Sequence, residues 1–311
     1  MKTKKLFATV IVNITFYTLH FTSNAQQLPH FSQYMQNDFV LNPAVAGSYD
    51  YSPILLTFRS QWTGFNDAPT TQTVSAHTPL TQNMGVGGFL FNDKTGPISR
   101  MGLQLAYAYH LRVGAKSYLS FGLGAILYQH VLDKGLITLD ESDDNAMLGN
   151  KTRKFMADAV FGMKYTYEGF YFGFSAPQLV QSELKLSDSN LNKLVRHYFV
   201  NTGYKINVTD VFAMEPSILF KAIATAPMQI DANLKFIYKD FLWLGTSFRN
   251  GDAAVVMLGV KKNSFQFGYS YDATLSNIRK YSSGSHEIVM GLLLSDLEQK
   301  LKKATNSKPK Y

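Results

Sequence analysis

The chain has 311 residues, a formal net charge of +8, 46% hydrophobic residues and no cysteine. Without cysteine, neither disulfides nor thiolate metal sites are available. The charge sits largely at the ends, in Lys2, Lys4 and Lys5 and in Lys300, Lys302, Lys303, Lys308 and Lys310. The body is therefore nearly balanced and lacks the basic stripe of a nucleic-acid binder.

The N-terminus is basic, then apolar through Leu6-Phe7-Ala8-Thr9-Val10-Ile11-Val12, and closes with Ser23-Asn24-Ala25. These are the parts of a secretory signal peptide, so residues 1–25 are expected to direct Sec export and be removed. That leaves 311 − 25 = 286 residues and a charge of +8 − 3 = +5. A transmembrane anchor is the other reading, but Asn13, Thr15, Thr18 and His20 interrupt the run.

Residues 26–50 form a non-alternating lead-in with Phe31, Tyr34, Phe39 and the turn signal Asn42-Pro43. Aromatic rings in such a segment need a burial site. The expected one is a brace inside the periplasmic mouth of a barrel; the alternative is a periplasmic partner.

From residue 51 the dominant signal is period two. Met101, Leu103, Leu105, Tyr107, Tyr109, Leu111 and Val113 alternate with Gly102, Gln104, Ala106, Ala108, His110 and Arg112. The same pattern recurs from Phe155 and from Met228. Successive strand residues face opposite sides, so one face is oily and the other small or polar. No later segment reads as about eighteen consecutive apolar residues, which argues against helical spans.

A soluble sandwich also alternates. Small residues on the polar parity and aromatics near strand ends favour an all-β, antiparallel transmembrane β-barrel over residues 51–295. About fourteen strands are expected: 53–62, 70–80, 84–92, 99–113, 117–131, 155–168, 170–176, 195–208, 211–224, 228–239, 241–249, 252–262, 264–272 and 285–295. Connections after even-numbered strands are tight, and all the long ones follow odd-numbered strands. That is the layout of an outer-membrane barrel. Asp140, Glu141, Asp143 and Asp144 mark an external acidic loop, and residues 296–311 a basic C-terminal tail expected in the periplasm.

Chemistry-bearing patterns are sparse. His30, His77, His110, His130, His197 and His286 have no metal-type spacing and read as strand or interface residues. Nucleotide-loop and Gly-x-Ser-x-Gly motifs are missing from the sequence. No cofactor and no catalytic residue is expected. Inward-parity Asp158, Lys164, Lys221, Asp231, Lys235 and Arg249 could line a pore or pair across a packed interior.

Several blocks resemble one family. Phe31-Ser32-Gln33-Tyr34-Met35 and Asn42-Pro43-Ala44-Val45-Ala46-Gly47 are similar to the start of PorP/SprF proteins of the Bacteroidetes type IX secretion and gliding machinery. The likeness continues through Arg59-Ser60-Gln61-Trp62-Thr63-Gly64-Phe65, Arg249-Asn250-Gly251-Asp252, Gly268-Tyr269-Ser270-Tyr271-Asp272 and Gly284-Ser285-His286-Glu287-Ile288. The resemblance implies an outer-membrane barrel that assists secretion, surface attachment or anchoring of cargo. Its partners would be machine components and a secreted protein or adhesin with a C-terminal sorting domain. It carries over no catalytic residues. Phe31, Gln33, Tyr34, Asn42, Pro43, Gly47, Gln61 and Trp62 are the candidate partner-binding or mouth-bracing residues. A porin or hydrophobic-solute transporter is the alternative.

Overall fold

The computed structural model describes residues 28–64, 66–137, 151–187, 190–224 and 226–294. The expected leader, the acidic loop residues Asp140 to Asp144 and the basic tail lie outside the described residues.

In chain order the strands are β1 (Ser52–Ser60), β2 (Thr70–Pro79), β3 (Met84–Thr95), β4 (Ile98–Arg112), β5 (Ser117–Asp133), β6 (Lys151–Tyr167) and β7 (Phe170–Ala176). A small hairpin follows, β8 (Glu183–Ser187) with β9 (Asn190–Lys193). Then come β10 (His197–Tyr204), β11 (Ile206–Asn207), β12 (Phe212–Ile223), β13 (Ala226–Tyr238), β14 (Leu242–Arg249), β15 (Ala253–Lys262), β16 (Phe265–Thr274) and β17 (Ser285–Leu294). β11 continues the crossing begun by β10, because both pair with β12. The wall is thus a closed 14-strand antiparallel barrel. It closes where β1 pairs with β17, from Ser52 opposite Leu294 to Ser60 opposite His286.

The alternation in the sequence becomes the two faces of this wall. On β4, Met101, Leu105, Tyr107 and Tyr109 point outward and are exposed, while Gln104, Ala106, Ala108 and His110 are buried inside. β14 alternates without a break. A closed cylinder satisfies every ladder hydrogen bond and leaves no edge, which explains how a chain without disulfides holds a wide ring.

One rim carries tight turns. Asn263 joins β15 to β16 at φ 54, the left-handed conformation that short hairpin loops require. The other rim carries the long connections. Several boundaries differ from expectation; β6, for instance, begins at Lys151 where 155 was expected. β3 and β4 run on to Thr95 and Ile98, so the loop expected at 93–98 shrinks to Gly96-Pro97. The connection after β7 contains its own hairpin. β1 stops at Ser60, because Trp62 takes φ 51 and its N–H donates to Ser285 Oγ at 3.0 Å instead of extending the ladder.

Candidate functional site: a lead-in packed inside the barrel

Residues 28–50 run through the lumen. Three 3₁₀ turns, Tyr34–Gln36, Asp38–Val40 and Pro43–Val45, fold the segment compactly enough to fit. Asn42 caps the third: its Oδ1 accepts from Ala44 N at 2.9 Å, and Pro43 occupies the first helical position, where no N–H is needed. The other end of the Asn42 amide donates to the wall carbonyls of Met163 and Phe174 at 3.0 and 3.3 Å.

Apolar packing sets the depth. Phe39 is fully buried among Val45, Ala46, Phe89, Ala106 and Ala108. Phe31 and Tyr34 pack with Phe199 and Leu219 on the opposite wall. Burying a phenylalanine fully contributes about 1.5–3 kcal/mol, so these rings alone make withdrawal of the segment costly.

Wall glycines provide the seats. A Cβ on Gly122 would stand 2.7 Å from Ala44 Cα, and one on Gly85 would stand 2.6 Å from Gly47 Cα. Neither backbone could approach if the wall carried side chains there. The small inward parity therefore reflects a close-packed interior. Gly47 itself sits at φ 69, and its N–H donates to His77 Nδ1 at 3.1 Å. His110 Nε2 bonds the Ala46 carbonyl at 2.9 Å. His77 and His110 thus hold lead-in backbone from the inner face of the wall. Among the described residues no group of His, Asp and Glu could hold a metal ion.

Near the long-loop rim the lead-in meets a buried charge cluster. Glu287 accepts from Ser32 N and Gln33 N, each at 2.8 Å, and from Arg59 at 3.2 Å. Arg59 also reaches Asp272 at 2.8 Å, and Ser32 Oγ donates to Asp272 at 2.6 Å. Arg249 bridges Asp231, Asp252 and Asp272 at 3.2–3.3 Å, and Lys221 holds Asp231 at 2.9 Å. Glu287 lies on β17 and Arg59 on β1, so this clasp binds the lead-in across the seam that closes the barrel. Nearer the turn rim, Lys164 pairs with Asp38 at 2.6 Å, and Tyr49 OH donates to the same carboxylate. Burial opposes ionisation of Asp38, but Lys164 and these hydrogen bonds outweigh it and hold the carboxyl below the usual range. Of the inward-parity charges, Lys164, Lys221, Asp231, Lys235 and Arg249 are ion-paired, while Asp158 accepts from the backbone N–H groups of Ala159 and Val180 at 2.7 and 2.9 Å.

Six of the candidate residues, Phe31, Gln33, Tyr34, Asn42, Pro43 and Gly47, thus come together inside the lumen. The segment reaches well beyond the mouth brace expected from sequence: Gly47 lies beside Pro79 at the turn rim, whereas Ser32 lies beside Arg59 near the opposite rim. Gln61 and Trp62 do not join this cluster. Gln61 N donates to Pro69 O, and both residues sit on the long-loop rim. Sequence reasoning missed Arg59, Asp272 and Glu287 as anchors and the glycines as seats. Inward parity was the available signal, joined for Arg59, Asp272 and Glu287 by their place in the resemblance blocks.

Residues 23–292 match the family described as "Type IX secretion system membrane protein PorP/SprF". The chain belongs to the PorP/SprF family. The match takes in the lead-in together with almost all of the wall. No curated protein matches the chain. Among solved structures, the CymD monoaromatic hydrocarbon channel is 10% identical over 88% of this chain and 94% of its own, with a TM-score of 0.47. A Pseudomonas aeruginosa FadL homologue is 9% identical over 81% and 91%, with a TM-score of 0.46. At those scores the likeness carries no functional weight, and the fold rests on the strand registers above. The PorP/SprF protein is a type IX secretion membrane protein.

Proposed function

We propose that this PorP/SprF protein is a sealed docking ring in the outer membrane, non-enzymatic, that assists secretion, surface attachment or anchoring of type IX cargo. Residues 1–25 direct Sec export, and the apolar exterior of residues 51–295 sits in outer-membrane lipid. The partners are machine components and a cargo protein or adhesin with a C-terminal sorting domain; nucleic acid is not among them.

One observation carries the reading: the lumen is occupied by the lead-in, with Phe39 fully buried and Glu287 clamping Ser32 and Gln33. A ring filled this way is suited to holding surfaces in place. A porin or solute transporter needs a free path, and the buried lead-in speaks against that reading. On the long-loop rim, Trp62 and Gln61 are placed to meet cargo, while Phe31, Gln33, Tyr34, Asn42, Pro43 and Gly47 brace the ring from within. Deleting the gene should abolish surface display of one sorting-domain cargo without reducing its synthesis, and the purified protein should conduct poorly in planar bilayers. Normal display in the deletion strain, with large open-channel currents, would reverse the choice.

A further inference from the structure

We propose that the cavity at the turn rim is a socket for an acidic peptide segment of a periplasmic partner. This rests on the docking reading above and names what docks on one face. The cavity has a volume of about 650 Å³, within the range of sites that enclose a specific ligand. Tyr34, Met35 and Gln36 of the lead-in form part of its lining, and Lys205 and Asp240 stand at its entrance. Beyond this lining the lead-in continues to Ser32 and Gln33, which Glu287 holds in place, so the turn rim is the side from which an occupant would enter.

Its chemistry selects for acceptors. Three lining lysines are already neutralised: Lys164 by Asp38 at 2.6 Å, Lys235 by Glu215 at 2.7 Å and Lys205 by Asp240 at 3.1 Å. Among the described residues, Lys261 pairs with no carboxylate; its Nζ lies 4.8 Å from the centroid of the Tyr51 ring. Tyr34, Tyr49, Tyr51 and Tyr171 line the same space. A cation without a carboxylate partner in an aromatic-lined cavity calls for a ligand that carries carboxylates on a chain with apolar surface. An acidic peptide supplies both. A small inorganic anion would fill only a fraction of the volume.

The test uses the full mature protein in detergent, with Trp62→Phe so that the remaining tryptophan, Trp243, reports alone. The probe is a fluorescein-labelled octapeptide of alternating Glu and Tyr, compared with its Lys and Tyr counterpart. We expect saturable binding of the acidic peptide, weakening with salt, with a change in Trp243 emission. Lys261→Glu should weaken it at least about tenfold, the effect of turning a partner charge into a like charge. Lys116→Glu on an exposed turn should leave it unchanged. Unaltered heat-modifiable mobility checks that each variant is folded. Absence of saturable binding, equal binding of the basic peptide, an unaffected Lys261→Glu variant, or full competition by millimolar inorganic phosphate would each overturn the proposal. In cells the two readings separate: if deletion of the gene abolishes cargo display but Lys261→Glu preserves it, the socket fails and the docking ring stands. If deletion leaves display intact, the docking reading itself fails.

Discussion

Glu287 is where the lead-in is most exposed to a single change. Its carboxylate accepts two backbone N–H groups of the lead-in at 2.8 Å and pairs with Arg59 at 3.2 Å, with both side chains at most 2% exposed. Glu287→Ala leaves two buried N–H donors without acceptors. Breaking a buried pair by removing one partner costs about 3–5 kcal/mol. Arg59 retains Asp272 at 2.8 Å, so its charge is not stranded, and the expected loss lies at the lower end, about 3 kcal/mol. The control is an ion pair of similar length in a different setting. Lys116 and Glu168 lie 2.7 Å apart but are 70% and 43% exposed, so solvent screens the pair and it adds little to stability. Reversible urea unfolding in lipid vesicles, followed by tryptophan fluorescence, measures both. A Glu287→Ala loss no larger than that of Glu168→Ala would refute the idea that the clasp secures the lead-in.

Other consequences follow from the same geometry. Gly122→Val places side-chain atoms where Ala44 Cα would lie 2.7 Å from the new Cβ, and overpacking of this kind costs about 1–3 kcal/mol. A cysteine at Ala44 should then become reactive to maleimide, and continued protection would contradict the seat. Leu105, 59% exposed on the outer face, should tolerate arginine poorly, losing about 2–4 kcal/mol of folding stability in bilayers if it lies near the midplane. The same measurement at exposed Asp210 should change little, and equal penalties would undo the assignment of the outer face. The depressed Asp38 carboxyl stabilises the folded state at pH above its unfolded value near 3.8, and that contribution disappears as pH falls through the lower folded value. Urea midpoints should therefore decline on acidification below about pH 4 more in the parent than in Asp38→Asn. Parallel curves would remove the Lys164–Asp38 pair from the account.

The wall was legible because its physics is local. Alternation at Met101 to Val113 assigns the faces, and short turns such as Asn263 fix where crossings end, so strand number and direction followed from sequence. The lead-in was legible only as an anomaly, since aromatic rings without alternation signal burial but not its address. That address depends on contacts spanning most of the chain, such as Ser32 to Glu287, 255 positions apart. Spacing rules contain nothing about such pairs. Gly85 and Gly122 illustrate the same limit from the wall side. In sequence they are small residues in a strand, and only the folded lead-in reveals what occupies the space above them.

The central claim, that the protein works with its lumen filled, can be tested by pinning the lead-in in place. The chain has no native cysteine, so Asn37→Cys with Ser75→Cys introduces one pair at a position where the native side chains hydrogen-bond at 2.9 Å. Oxidation or a short bis-maleimide should bridge them in intact cells, seen as a shifted band after proteolysis between residues 37 and 75. Cargo display should then continue at the parental level with the bridge closed. Failure of the pair to bridge, or loss of display on bridging that returns on reduction, would contradict the account.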